Sequence, residues 1–243
     1  MISIEQLHEL QSFDSATICN AIEGFGIRSR LEGFLPGSIQ CMIDRGKPYI
    51  GYATTAKMTT KAPASPDEAK SMVEYYHYVQ QSPRPGIAVL EDIDSPHVAA
   101  MWGDVMAHIH QACGSNAIVT NGGVRDVKEI APMDFGCFAS GVLCSHGYIH
   151  MLDFGCPVSM DGVTVKSGDL LFCDKEGIVI LPEEIVPFLA EACRKAAVAE
   201  WPVLSFVKEA LLNNKELDIE ELRHRMGEMN RLRGKIADHA PKK

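Results

Sequence analysis

Nothing in the 243-residue chain approaches the run of ~20 apolar residues that a membrane-spanning helix requires. The first twenty residues mix acidic and apolar positions, with no basic segment and no continuous apolar stretch, so no signal peptide is expected there. Basic charge is short as well. Twenty-three Lys and Arg stand against 32 Asp and Glu, a formal charge of −9 that makes a poor partner for a phosphate backbone. The eight cysteines (19, 41, 113, 137, 144, 156, 173 and 193) include no C-x-x-C pair, which argues against a zinc ribbon or a disulfide scaffold. Most sit beside apolar residues, as in Leu143-Cys144 and Phe172-Cys173, and read as small buried side chains in a reducing compartment. No Lys-Ser or Lys-Thr follows Gly122-Gly123, so that pair is not a phosphate loop. There is no internal repeat. The expectation is a soluble, cytoplasmic protein with neither nucleic acid nor membrane as partner.

What is present is an ordinary globular balance, 46% apolar and 23% charged. Residues 4–25 carry apolar side chains at helical spacing, and a strand is expected through Ile50–Met58. Ser65-Pro66-Asp67-Glu68 has the form of a helix start, with a helix expected to about Gln80. Gly86–Asp92 reads as a buried strand, Val98–Cys113 as a helix stopped by Gly114, and Ala117–Thr120 as a short strand. Strand, helix and strand in that order predict a parallel crossover. Beyond Phe135 the pattern changes to short strands (Cys156–Met160, Val163–Val165, Leu170–Cys173, Ile178–Leu181) separated by turn dipeptides, a β-meander. Pro182-Glu183-Glu184 then opens a long helix. Residues 219–243 hold seven basic and four acidic side chains, a basic tail on an acidic body.

The chemistry concentrates in Gly103-Asp104-Val105-Met106 and Asn121-Gly122-Gly123-Val124-Arg125-Asp126. Asp104 stands near a helix N-terminus, where a carboxylate is favoured. About ten residues of helix lead ~15 Å away, and a strand of four to six residues returns ~13–20 Å. The lengths nearly cancel, so Asp104 should meet Arg125 and Asp126 at one end of the crossover. Two carboxylates suit a hard divalent ion such as Mg2+ or Mn2+. An arginine fork suits a carboxylate or an enolate oxygen, and the helix amides of Val105 and Met106 suit a second anionic oxygen. Such a set fits a small 2-oxo acid. The same spacing also suits a structural Arg–Asp pair that fixes a loop under a glycine turn.

Asp104, twenty intervening residues and then Arg125-Asp126 resemble the D-x20-R-D signature of the RraA-like superfamily. That group includes the class II 4-hydroxy-4-methyl-2-oxoglutarate/4-carboxy-4-hydroxy-2-oxoadipate aldolases and the regulator of ribonuclease activity A. The similarity runs from Ser15-Ala-Thr through Leu35-Pro-Gly and Gly51-Tyr-Ala-Thr to Pro157-Val, Gly162-Val-Thr-Val, Gly168-Asp169, Asp174 and Gly177, covering roughly residues 12–200. The resemblance implies a swivelling β/β/α fold: an α/β domain over residues 1–185, with a mixed central sheet and the β-meander, and a C-terminal helical extension over 186–243 packing on a neighbouring subunit. It implies that Asp126 holds a divalent cation, that Arg125 binds and polarises the pyruvyl part, and that Asp104 positions water on the metal. It also implies a homo-oligomer, trimer or hexamer, in which a glutamate from a neighbour's C-terminal helix completes the site. Glu200 is the candidate for it, although Trp201-Pro202 departs from the family pattern and predicts that the helix ends or kinks. Ser140–His146 departs too, where the family often shows an arginine.

The expected function is therefore metal-dependent retro-aldol cleavage of a 4-hydroxy-2-oxo acid to pyruvate, with oxaloacetate decarboxylation as a side activity. The alternative is a non-catalytic regulator that binds a ribonuclease or another protein. The pairs His108/His110 and His146/His150 are poor metal sites by spacing. Tyr75, Tyr76 and Tyr78 read as packing residues.

Overall fold

A computed structural model describes residues 2–65 and 69–241 of the chain. The chain falls into two compact units: Gly33–Leu181, and the residues up to Glu32 together with those from Pro182 onward.

The second of these is helical. Helix α1 (Ile4–Leu10) starts on a reciprocal cap in which Ser3 and Gln6 each bond the other's backbone, and α2 (Ser15–Phe25) starts on the Asp14 side chain. The stretch read at helical spacing over 4–25 thus forms two helices. Tight turns through Gln11–Phe13 end the first, and Asp14 accepts from the Thr17 amide at 2.7 Å to begin the second.

In Gly33–Leu181 the elements run β1 (Gln40–Ile43), β2 (Tyr49–Thr59), α3 (Met72–Gln81), β3 (Gly86–Asp92), β4 (Ala100–Trp102), α4 (Asp104–Ala112), β5 (Ser115–Thr120), β6 (Gly123–Val124), α5 (Val127–Ile130), β7 (Gly136–Ala139), β8 (Gly141–Val142), β9 (His150–Phe154), β10 (Val158–Met160), β11 (Val163–Val165), β12 (Leu170–Asp174) and β13 (Gly177–Leu181). One mixed sheet has the order β1-β7-β5-β3-β2-β12-β13, with β9 also on β2. Its centre, β2/β3/β5/β7, is parallel, and both flanks are antiparallel. Strand β3 shows why it lies at the centre. Ile87 and Val89 enter the apolar cluster on one face, and Ala88 and Leu90 the cluster on the other. The expected crossover is present, since β3 and β5 are parallel with α4 between them in sequence.

Three expectations need correction here. The helix expected over Val98–Cys113 begins only at Asp104. Ala100, Met101 and Trp102 are fully buried and form a strand, because β4, β6 and β8 build a second, wholly parallel sheet of three short strands. The meander is divided: β10 and β11 pair with each other as a separate ribbon, while β12 and β13 join the main sheet. The helix start read at Ser65–Glu68 falls partly outside the described residues. The helix observed is α3, whose cap is Ser71, accepting from the Glu74 amide.

After Leu181, a 3-10 turn (Glu183–Ile185) leads into α6 (Val186–Leu212), and α7 (Ile219–Arg233) follows. Pro202 does not end α6. Its ring is buried, and the carbonyl four residues back, which loses its donor, belongs to Val198, an exposed residue. All eight cysteines are free, but Cys144 is exposed rather than buried, since it lies just past the end of β8. No helix among the described residues is long and apolar enough to cross a membrane.

Candidate functional site

The small parallel sheet places the candidate side chains. Trp102 ends β4 buried, stacked on Phe135 with ring centroids 5.5 Å apart. Its carbonyl accepts from the Arg125 amide at 3.0 Å, so the residue after β6 is held beside the residue after β4. Gly103 continues extended, and α4 starts at Asp104. Asp126 has a left-handed backbone (φ 57°), an uncommon conformation for a residue other than glycine, and caps α5. Its Oδ2 accepts from the Asp104 amide at 3.1 Å and lies 3.4 Å from Arg125 Nε. A Cβ on Gly103 would come within 2.5 Å of that oxygen and 3.1 Å of Arg125 Cγ, so Arg125 and Asp126 close only around a residue with no side chain. Asp104, Arg125 and Asp126, separated by up to 22 positions in sequence, are thereby brought together.

They line a cleft of about 160 Å3 with Ala100, Trp102, Gly103, Val105, Met106, His146 and Ile149. All three charged side chains are half-buried, reachable by solvent. The first amides of α4 have no partner within the helix, and that of Asp104 is taken by Asp126, which leaves those of Val105 and Met106 for an anionic oxygen. His108, one turn along α4, sets Nδ1 3.1 Å from Asp104 Oδ1. Behind the cleft, buried His110 fixes the start of the helix. Its Nδ1 donates to the Met106 carbonyl at 2.7 Å, and Nε2 accepts from the Tyr75 hydroxyl at 2.9 Å. Burial brings the pKa of His110 down to about 4, so the ring is neutral.

Among the described residues, no three or more His, Cys, Asp or Glu side chains come together as a ready metal cage. Both contacts made by Asp126 fall on Oδ2. A pair of carboxylates in a solvent-reachable cleft is nevertheless the donor set of a magnesium-like ion, which takes one or two carboxylates and fills its shell with water and substrate oxygens. The residues fit such an ion, which Asp126 would hold while Asp104 would stand beside the water in its shell.

The lining residues described all belong to Gly33–Leu181. Glu200 stands on α6, in the helical unit, where Oε1 accepts from Arg233 at 2.9 Å. His146 was not singled out by sequence reasoning as a cleft residue. It lies in the loop before β9, and its only sequence signal is its place in the stretch that departs from the family pattern. Tyr75 is buried against Tyr76, Tyr78 and His110, a packing role as expected.

A family model for RraA-like proteins, described as Aldolase/RraA, matches residues 15–180. The chain belongs to the RraA-like family. Among its relatives, the protein DlpA of Legionella pneumophila is 26% identical over 216 residues, a match covering 84% of this chain and 33% of that protein. A protein of Ectopseudomonas mendocina named as a candidate 4-hydroxy-4-methyl-2-oxoglutarate aldolase is 36% identical over 90 residues, 35% of this chain and 54% of its own. The chain thus spans about a third of the one relative and about half of the other. The fold is similar to that of Streptomyces coelicolor RraAS2, described as an unusual member of the RNase ES inhibitor RraA protein family. The TM-score is 0.64 at 20% identity, over 84% of this chain and 96% of that one.

Proposed function

We propose that this chain is a divalent-metal-dependent carbon–carbon lyase that cleaves a 4-hydroxy-2-oxo acid and releases pyruvate. One observation carries the reading: the Asp104 amide bonded to Asp126 Oδ2, with Arg125 against the same oxygen, in a cleft at a helix N-terminus. When bound, the cation supplies Lewis acidity at the carboxylate and 2-oxo oxygens of the substrate. Arg125 binds the substrate carboxylate and balances the negative charge that grows on the 2-oxo oxygen as C3–C4 breaks. The amides of Val105 and Met106 hold a second anionic oxygen. Asp104 relays the proton that C3 of the enolate takes up to become pyruvate. Oxaloacetate, losing carbon dioxide, passes through the same enolate, so decarboxylation follows as a side activity. Glu200 of a neighbouring copy is proposed to complete the site, with the C-terminal helices packing between subunits of a trimer or hexamer.

The test is pyruvate release from 4-hydroxy-4-methyl-2-oxoglutarate and from oxaloacetate, with magnesium or manganese and with chelator. The reading expects chelator-sensitive release that Arg125→Ala lowers about 10²–10³-fold. No release from either substrate overturns it. The rival, a regulator that binds a ribonuclease, is favoured by the likeness to RraAS2, but a pure binder has no use for Arg125 and Asp126 closed around Gly103 in a cleft that Asp104 also lines. Co-purification with a ribonuclease, in the absence of lyase activity, would select it.

A further inference from the structure

Retro-aldol cleavage begins with loss of the hydroxyl proton at C4, and the charged trio leaves that proton without an acceptor. Arg125 has no lone pair to give. Asp126 serves the cation, and Asp104 serves C3. The cleft holds one further titratable side chain among its described lining, His146; the rest of the wall is Ala100, Trp102, Met106 and Ile149 beside the main chain. From this placement, and resting on the lyase reading above, we infer that His146 is the base that takes the substrate's hydroxyl proton.

The loop presents this imidazole in one way. His146 Nδ1 lies 2.8 Å from the Gly147 carbonyl, which can only accept, so Nδ1 carries the proton and Nε2 bears the lone pair. The loop itself is pinned at both ends. The Ala100 amide donates to the Ser145 carbonyl at 2.7 Å, and the Tyr148 amide donates to the Thr60 carbonyl at 2.8 Å. Gly147 adopts a left-handed φ of 53°, and any Cβ there would meet the Thr60 carbonyl oxygen at 2.6 Å. His146 is exposed and lines the cleft, and Nε2 is the ring nitrogen that the Gly147 carbonyl leaves unengaged.

The step balances without a further reactant. Nε2 takes the proton from the C4 hydroxyl, and the O–H electron pair becomes the second bond of the new carbonyl. The C3–C4 bond breaks, and its electrons form the C2=C3 bond of pyruvate enolate. The imidazolium that results returns its proton to solvent.

Oxaloacetate has no hydroxyl proton to remove, yet it yields the same enolate, and the two substrates together isolate the base. In the full chain with magnesium, His146→Asn keeps a donor for the Gly147 carbonyl and His146→Gln keeps a polar group near Nε2. Either should lower kcat for 4-hydroxy-4-methyl-2-oxoglutarate about 100-fold, while oxaloacetate decarboxylation stays within about threefold of wild type. Calorimetric affinity for oxalate, which mimics the enolate, should not change. Equal loss on both substrates, or no loss on the aldol substrate, overturns the assignment of His146 and leaves the lyase reading standing. A wild-type chain inactive on both substrates overturns the lyase reading and this inference with it.

Discussion

Gly33–Leu181 contains two pairs of aspartates that follow strands, and they are put to opposite uses. At the end of β3, Asp92 and, two residues on, Asp94 are buried and committed to the fold. Asp92 accepts from the Asp94 amide at 3.0 Å and pairs with His97 Nδ1 at 2.9 Å, while Asn121 clasps its backbone. Asp94 accepts from the Thr59 hydroxyl and from both the amide and hydroxyl of Thr60. Burial pushes the Asp92 carboxyl up; it acts on Asp94 in the same direction, but the threonine hydrogen bonds outweigh it and hold Asp94 below the ordinary carboxylate range. After β4 and β6, Asp104 and Asp126 are half-buried and keep oxygen atoms facing a cleft. The residue type is the same in both places. Whether an aspartate can serve chemistry depends on how much of its hydrogen-bonding capacity the fold has already used.

The sharpest way to break this contrast is to truncate one member of each region. Arg125→Ala should lower kcat/KM for pyruvate release about 10²–10³-fold, with little change in the urea midpoint, because it removes a donor aimed at developing charge. Asp92→Ala should do the reverse: about 3 kcal/mol of unfolding free energy lost, as buried partners are left unpaired, with kcat within about threefold of wild type. If the two variants shift stability equally, the division between them fails.

The third test uses pH. His110 has a folded pKa of about 4, below the ordinary value of 6.5, so the folded state resists a proton that the unfolded chain accepts. Its contribution is fully present above 6.5 and is lost as pH falls toward 4. Between pH 7 and pH 5 the loss should be about 2 kcal/mol at ~1.4 kcal/mol per pH unit, and His110→Gln should lack that slope in urea melts. The smallest effect is expected from Gly103→Ala. Its φ of −162° is open to any residue, so the fold should hold while Asp126 and Arg125 are pushed aside, lowering kcat about tenfold.

Much of this architecture was legible in the chain. Gly86–Asp92 matches β3 residue for residue, because a continuous apolar run of strand length has one sensible home, the middle of a parallel sheet. The meeting of Asp104 with Arg125 and Asp126 followed from counting residues out along a helix and back along a strand. The failures share a cause. Ala100–Trp102 and Gly123–Val124 are strands of three and two residues, too short for any periodicity, and are made by pairing with segments distant in sequence. That α6 continues through Pro202 was not legible either, because the penalty of an interior proline depends on how exposed the orphaned carbonyl is, which is a property of the fold. His146 was passed over as a cleft residue for a similar reason, since a loop braced by main-chain bonds to Thr60 and Ala100 leaves no pattern in composition.

The sheet of β4, β6 and β8 gives each strand its own outgoing segment: one leads to Asp104, one to Arg125 and Asp126, and one to His146. Selection can therefore act on these three parts separately. Rewriting only the stretch between Val142 and His150 would replace the side chains it lends to the cleft while Asp104, Arg125 and Asp126 stay as built. A scaffold wired in this manner allows new chemistries to be sampled one loop at a time.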